Sequence, residues 1–119
     1  MDSDELKRRT KEFAKRIIRL CRELPNAEEG RLVRGQLFRA GTSVGSNYRA
    51  ACRGRSKAEF ISKLGVVLEE TDESLYWLEL IVETEMMKRD RLEALMDEAN
   101  QLSAIWVASL NTAKQGRSD

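Results

Sequence analysis

The sequence predicts an all-α fold, an antiparallel up-down-up-down four-helix bundle. Apolar residues recur at helical spacing through four segments, and no stretch alternates as a strand requires. The lone proline, Pro25, and a capping box at Ser56 punctuate those segments. Short connections favour helices that fold back beside one another. The 119 residues are expected to form one domain, 1–119, with helices at about 3–24, 28–53, 56–86 and 90–113 and a frayed tail at 115–119.

The first helix is expected to open at Ser3 as N-cap. Leu6, Phe13, Ile17, Leu20 and Leu24 fall on one side, and Lys7, Lys11, Lys15, Arg19 and Arg22 lie mostly outside that stripe. Pro25 stops the helix, because the residue before a proline is pushed out of the α region. In the second helix Val33, Leu37, Ala40, Val44, Tyr48 and Ala51 share a narrow sector. The opposite side carries Arg31, Arg39, Arg49 and Arg53, with Gly35, Thr42 and Ser46 between them. Glycines at 35, 41 and 45 each cost about 1 kcal/mol relative to alanine, so the segment calls for a compensating contact.

The third helix begins with Ser56-Lys57-Ala58-Glu59, a capping box. Phe60, Leu64, Val67, Leu68, Thr71, Leu75, Leu78 and Val82 make one apolar stripe, and Val66, Trp77, Leu80 and Ile81 gather on a second side. A helix apolar on two sides asks for a neighbour on each, within the bundle or in another subunit. Asp90 is expected to cap the fourth helix, whose stripe is Leu92, Leu95, Met96, Ala99, Leu102, Trp106 and Leu110.

Composition narrows the function. Apolar residues are 41% and charged residues 34%, and no apolar run approaches the ~18–20 residues that span a bilayer. The opening MDSDELKRRT lacks the apolar core of a signal peptide, so a cytoplasmic protein without a membrane partner is expected. Cys21 and Cys52 form neither a disulfide framework nor a metal motif and read as packing residues. The net charge of +1 conceals an asymmetry: residues 1–57 hold 15 Lys and Arg against 7 Asp and Glu, whereas residues 58–119 hold 6 against 13. Such a split suits an acidic half packed on a basic half, or a basic surface for nucleic acid.

Gly41-Thr42-Ser43-Val44-Gly45 matches the G-x-S-x-G nucleophile elbow of serine hydrolases. No strand pattern precedes it, and a chain without histidine cannot assemble a Ser-His-Asp triad. Gly41 and Gly45 instead flank Val44 and Tyr48 as a notch for a neighbouring helix, with Ser43 and Asn47 placed to hydrogen-bond across it. No phosphate-binding loop is present, and Glu69, Asp72 and Glu73 lack the Glu-x-x-His partner of di-metal bundles. No catalytic, metal or cofactor site is expected.

The basic face of the second helix remains, continued by Arg55 and Lys57. Arginines spaced along one face are able to meet successive phosphates. A solvated face, or one paired with acids on another helix, is the plainer alternative. Tyr48 and Trp77 lie on packing sides, so no exposed aromatic platform for bases is expected.

The segment QLFRAGTSVGSNYRAACRGRSKAEFISKLGVVLEETDESLYWLEL, Gln36 to Leu80, closely resembles the bacterial four helix bundle family known as 23S rRNA intervening sequence proteins. Its most specific parts are Arg39 to Arg49, Ser56 to Phe60 and Tyr76 to Glu79, while Ala50 and Gly54 are mild departures. The resemblance implies a left-handed bundle assembling into a homopentameric ring, with no established biochemical activity. Some members are encoded within intervening sequences of ribosomal RNA genes, which suggests an RNA connection. The family is also similar to the accessory proteins of diversity-generating retroelements, pentameric bundles with basic surfaces that act with reverse transcriptase and nucleic acid. The expected partners are therefore further copies of the chain, RNA or DNA at Arg31, Arg39, Arg49, Arg53, Arg55 and Lys57, and a nucleic-acid-processing protein. The competing expectation is a structural or protein-recruiting scaffold.

Overall fold

A computed structural model describes residues 1–116, and those residues form four helices with no strand among them. Helix α1 (Ser3–Glu23) is capped by Asp2, one residue earlier than expected: its carboxylate accepts a hydrogen bond from the Glu5 N–H at 2.8 Å. A carboxylate also complements the positive end of the helix dipole, which a serine hydroxyl does not. The chain leaves α1 at Leu24 in an extended conformation ahead of Pro25.

Helix α2 (Glu28–Cys52) has no side-chain cap at Ala27, but Glu28 and Glu29 occupy its first turn. Helix α3 (Lys57–Glu83) opens on the expected capping serine, with Ser56 Oγ accepting from the Glu59 N–H at 3.1 Å. It ends three residues before the expected 86. Met86 N–H bonds Ile81 O at 3.0 Å and Glu85 N–H bonds Val82 O at 3.1 Å, around Glu85 at φ 60°. That pair of bonds is a Schellman turn, built here on a glutamate in the place glycine usually takes. Helix α4 (Arg89–Gly116) has Asp90 in its first turn and runs past the expected 113. Gln115 and Gly116 are thus helical, and the rest of the predicted tail, 117–119, lies outside the described residues.

Trp106, Phe13, Ile17, Leu37, Leu64, Leu78, Leu92 and Leu102 are fully buried at the centre. The Tyr48 and Trp106 rings pack 5.0 Å apart. Trp106 Nε1–H donates to Thr71 Oγ1 at 3.0 Å, and that hydroxyl donates to Val67 O at 2.8 Å, so the polar atoms brought inside are satisfied. Along α1 and α2 the pairing descends: Arg34 reaches Cys21 and Leu24, Gly41 faces Ile17, and Gly45 faces Thr10. Of the helix pairs that touch, α1 and α4 approach one another least closely. Arg9 bridges them to Glu98 in a two-pronged pair at 2.7 and 2.8 Å, and Arg91 pairs with Glu23 farther along. The described residues form a rod of 53 × 21 × 20 Å.

Candidate nucleic-acid interface

The seam between α1 and α2 is shaped by missing side chains. A Cβ at Gly41 would stand 2.7 Å from Ile17 Cγ1, too close to fit without a shift, and one at Gly45 would be tight at 3.1 Å from Thr10 Oγ1. Val44 and Tyr48, beside them, are buried in the core. On the outer side of the seam the small residues Ala14, Thr42, Gly45 and Ser46 leave a trough of about 190 Å³. Its hydroxyls are turned inward to their own backbones: Thr42 donates to Phe38 O at 2.7 Å, and Ser46 to Ser43 O at 3.2 Å. Ser43 likewise donates to Arg39 O at 2.6 Å, not across the seam as expected, and Asn47 makes no cross-helix bond among the described residues. A hydroxyl one helical turn above a free lone pair finds that carbonyl before any neighbouring helix.

Charge collects on the rims of the trough. Lys7 and Lys11 on α1 and Arg49 on α2 line it, and Arg8 and Arg53 extend it into an adjoining groove of about 230 Å³. Among the described residues none of these five cations forms an ion pair. Lys7 and Lys11, like Arg49 and Arg53, are like charges four residues apart, an arrangement that costs a helix about 0.2–0.5 kcal/mol per pair. Among the described residues no acid lines either stretch to offset it. Such a groove concentrates positive potential and attracts anions.

The six cations expected from the sequence are distributed differently. Only Arg49 and Arg53 belong to this groove. Arg39 crosses instead to α3, where Glu70 lies at 3.3 Å and Glu73 pairs with it more closely. Hydrogen bonding to Glu73, reinforced by the charges of Glu73 and Glu70, raises the guanidinium pKa further. Glu73 also accepts from Trp77 Nε1–H at 3.3 Å. Arg31 turns to Asn26 at 3.3–3.4 Å in the α1–α2 loop. Lys57 sits over Gly116 at the negative end of the α4 dipole. Arg55 is exposed in the α2–α3 turn. Lys7, Arg8 and Lys11 line the groove without having been candidates, because a wheel drawn for one helix cannot show which neighbour its polar side meets. The signal available was the four-residue Lys7/Lys11 repeat, the mate of Arg49/Arg53.

On α3, Ile81 is fully buried, Trp77 and Leu80 are half-buried, and Val66 is 41% exposed. The expectation of no exposed aromatic fails: Phe38 is 45% and Tyr76 54% exposed. Nothing in the seam resembles an activated nucleophile. Ser43 lies in unbroken helix, and burial pushes the Cys21 thiol up to about 11, only partly offset by Arg34. A thiol at that value is protonated, hence unreactive, at neutral pH. Burial, then the hydrogen bond with Cys52, also pushes the Tyr48 hydroxyl upward. Among the described residues no group of three or more His, Cys, Asp or Glu is placed to hold a metal, and no helix is long and apolar enough to cross a membrane.

The family model described as 23S rRNA-intervening sequence protein matches residues 4–108. A solved structure from Bacteroides thetaiotaomicron, titled a protein of unknown function from the S23 ribosomal protein family, is similar at 35% identity. The similarity covers 87% of this chain and 96% of that one, with a TM-score of 0.82. No curated protein matches.

Proposed function

The chain belongs to the 23S rRNA-intervening sequence protein family, and from that premise we propose a non-enzymatic bundle protein whose α1/α2 groove binds RNA or DNA through its phosphates. One observation carries this reading: five cations from two helices line a single groove, and no acid lines it among the described residues. Folding gains nothing from that repulsion, whereas a polyanion relieves it and releases its own counterions. The bundle runs antiparallel up-down-up-down as a single domain, supported by the descending pairing along α1 and α2. It assembles into a homopentameric ring in the cytoplasm, supported by the family resemblance and by the half-exposed Val66, Trp77 and Leu80 on α3. A nucleic-acid-processing protein is its further partner.

Fluorescence anisotropy on labelled RNA and DNA across a salt series tests the binding. Affinity should fall steeply as salt rises, and absence of binding at ~50 mM salt, where phosphate attraction is strong, would sink the reading. The second reading, a structural or protein-recruiting scaffold, is favoured by the same apolar strip with exposed Tyr76 beside it. It predicts that the native complex carries protein partners and no nucleic acid. Mass in solution separates the assembly from both: a monomer contradicts the ring.

A further inference from the structure

Phe38 stands on α2 with 45% of its surface exposed, where an apolar ring gains nothing from water. Phe38, Thr42, Gly45 and Arg49 follow one another at spacings of four, three and four, so they occupy one face of the helix. The Thr42 hydroxyl bonds the Phe38 carbonyl at 2.7 Å, joining successive turns of that face. Thr42, Gly45 and Arg49 line the basic trough, which puts the Phe38 ring one turn beyond its end. From Phe38 to Arg53 the face runs about 22 Å at the helical rise. It thus offers cations at one end, a small-residue floor in the middle and an exposed aromatic at the other end.

We propose that the occupant of this groove is a single polynucleotide strand, with phosphates between the Lys7/Lys11 and Arg49/Arg53 rims and an unpaired base stacked on Phe38. The proposal rests on the nucleic-acid reading above and adds the strandedness and the stacking residue. A cationic track combined with an aromatic face is how proteins hold single strands without reading sequence. In a duplex the bases stack on one another, so a lone ring beside the groove reaches none of them. The Thr42 and Ser46 hydroxyl protons are already given to backbone carbonyls, so neither is free to donate to a base edge. Stacking is therefore tolerant of base identity, and RNA and DNA strands bind alike.

Anisotropy with fluorescent oligothymidylate, oligouridylate and a hairpin duplex of equal phosphate number tests this. Both single strands should bind the full-length protein more tightly than the hairpin. Phe38→Ala should weaken single-strand binding roughly ten- to hundredfold, the range of one base–aromatic stack, and leave hairpin binding unchanged. Phe38→Trp should restore it. An abasic strand should bind wild type and Phe38→Ala equally. Equal single-strand affinity of wild type and Phe38→Ala, or a hairpin bound as tightly as the strands, overturns the stacking proposal while phosphate binding stands. A change in oligomer mass on Phe38→Ala also overturns it, since the ring then belongs to a subunit contact. No binding of any probe at low salt overturns both readings together.

Discussion

On the flank of α2 that faces α3, Arg39 is held by Glu70 and Glu73, and Glu73 is steadied in turn by the Trp77 indole. On the flank that faces α1, Arg49 and Arg53 share a groove with Lys7, Arg8 and Lys11, and among the described residues no acid lines it. The residue type and the helix are the same, and the circumstances are opposite. A compensated arginine joins two elements of one chain. Cations on two facing helices without an ion pair repel one another, and an anion from outside relieves that repulsion. On the α1/α2 flank Gly41 and Gly45 also leave no room for a Cβ beside Ile17 and little beside Thr10.

The contrast is most sharply broken by filling the seam. Gly41→Leu should destabilise the protein by about 3 kcal/mol or more, since even its Cβ meets Ile17 within van der Waals distance. Gly35→Ala is the control: nothing lies within 4 Å of its Cβ, and removing a helix glycine should raise stability by about 0.5–1 kcal/mol. Denaturant melts of the two variants read both signs. Next in size, Lys11→Glu with Arg49→Glu should lower nucleic-acid affinity at low salt by roughly tenfold or more and flatten its salt dependence, with helicity unchanged by circular dichroism. Arg39→Ala should do the reverse, lowering the melting temperature less than Gly41→Leu does and leaving affinity untouched. Equal loss of affinity in the Arg39 and Arg49 variants would erase the distinction between the flanks.

The smallest effect concerns Cys21, whose Sγ lies 3.7 Å from Arg34 O across the same seam. Burial raises its thiol from 9.0 to about 11, so the folded state holds the proton more tightly than the unfolded chain. Its contribution to stability is whole below pH 9 and is lost as pH rises towards 11. Cys21→Ala should therefore show a shallower alkaline fall in stability across pH 9–11 than wild type in parallel melts. Identical slopes would mean the thiol is not the group that titrates.

Much of the fold was legible because its signals are local. Pro25 ends α1, Ser56 and Glu59 open α3, and the stripe from Leu92 to Leu110 is the buried face of α4. The misplaced boundaries follow from local competition that pattern does not rank. Asp2 outcompeted Ser3 for the cap, and the end of α3 turned on a glutamate at positive φ that no glycine announced. The site was half legible. Of the candidate cations Arg49 and Arg53 line the proposed groove, whereas Arg31, Arg39 and Lys57 went to other partners and Lys7, Arg8 and Lys11 arrived from another helix.

By itself the sequence determined four helices, their buried stripes, the absence of any histidine for a triad, and a resemblance strong enough to name a family. Those properties depend on neighbours within a turn or two of helix, where spacing along the chain is spacing in space. Only the tertiary structure decided which arginines are paired and which are left facing cations, and that Phe38 lies at the end of the groove they make. Charge compensation depends on distances between residues far apart in sequence, such as Arg39 to Glu70 or Lys7 to Arg49, and those exist only once α1, α2 and α3 have packed.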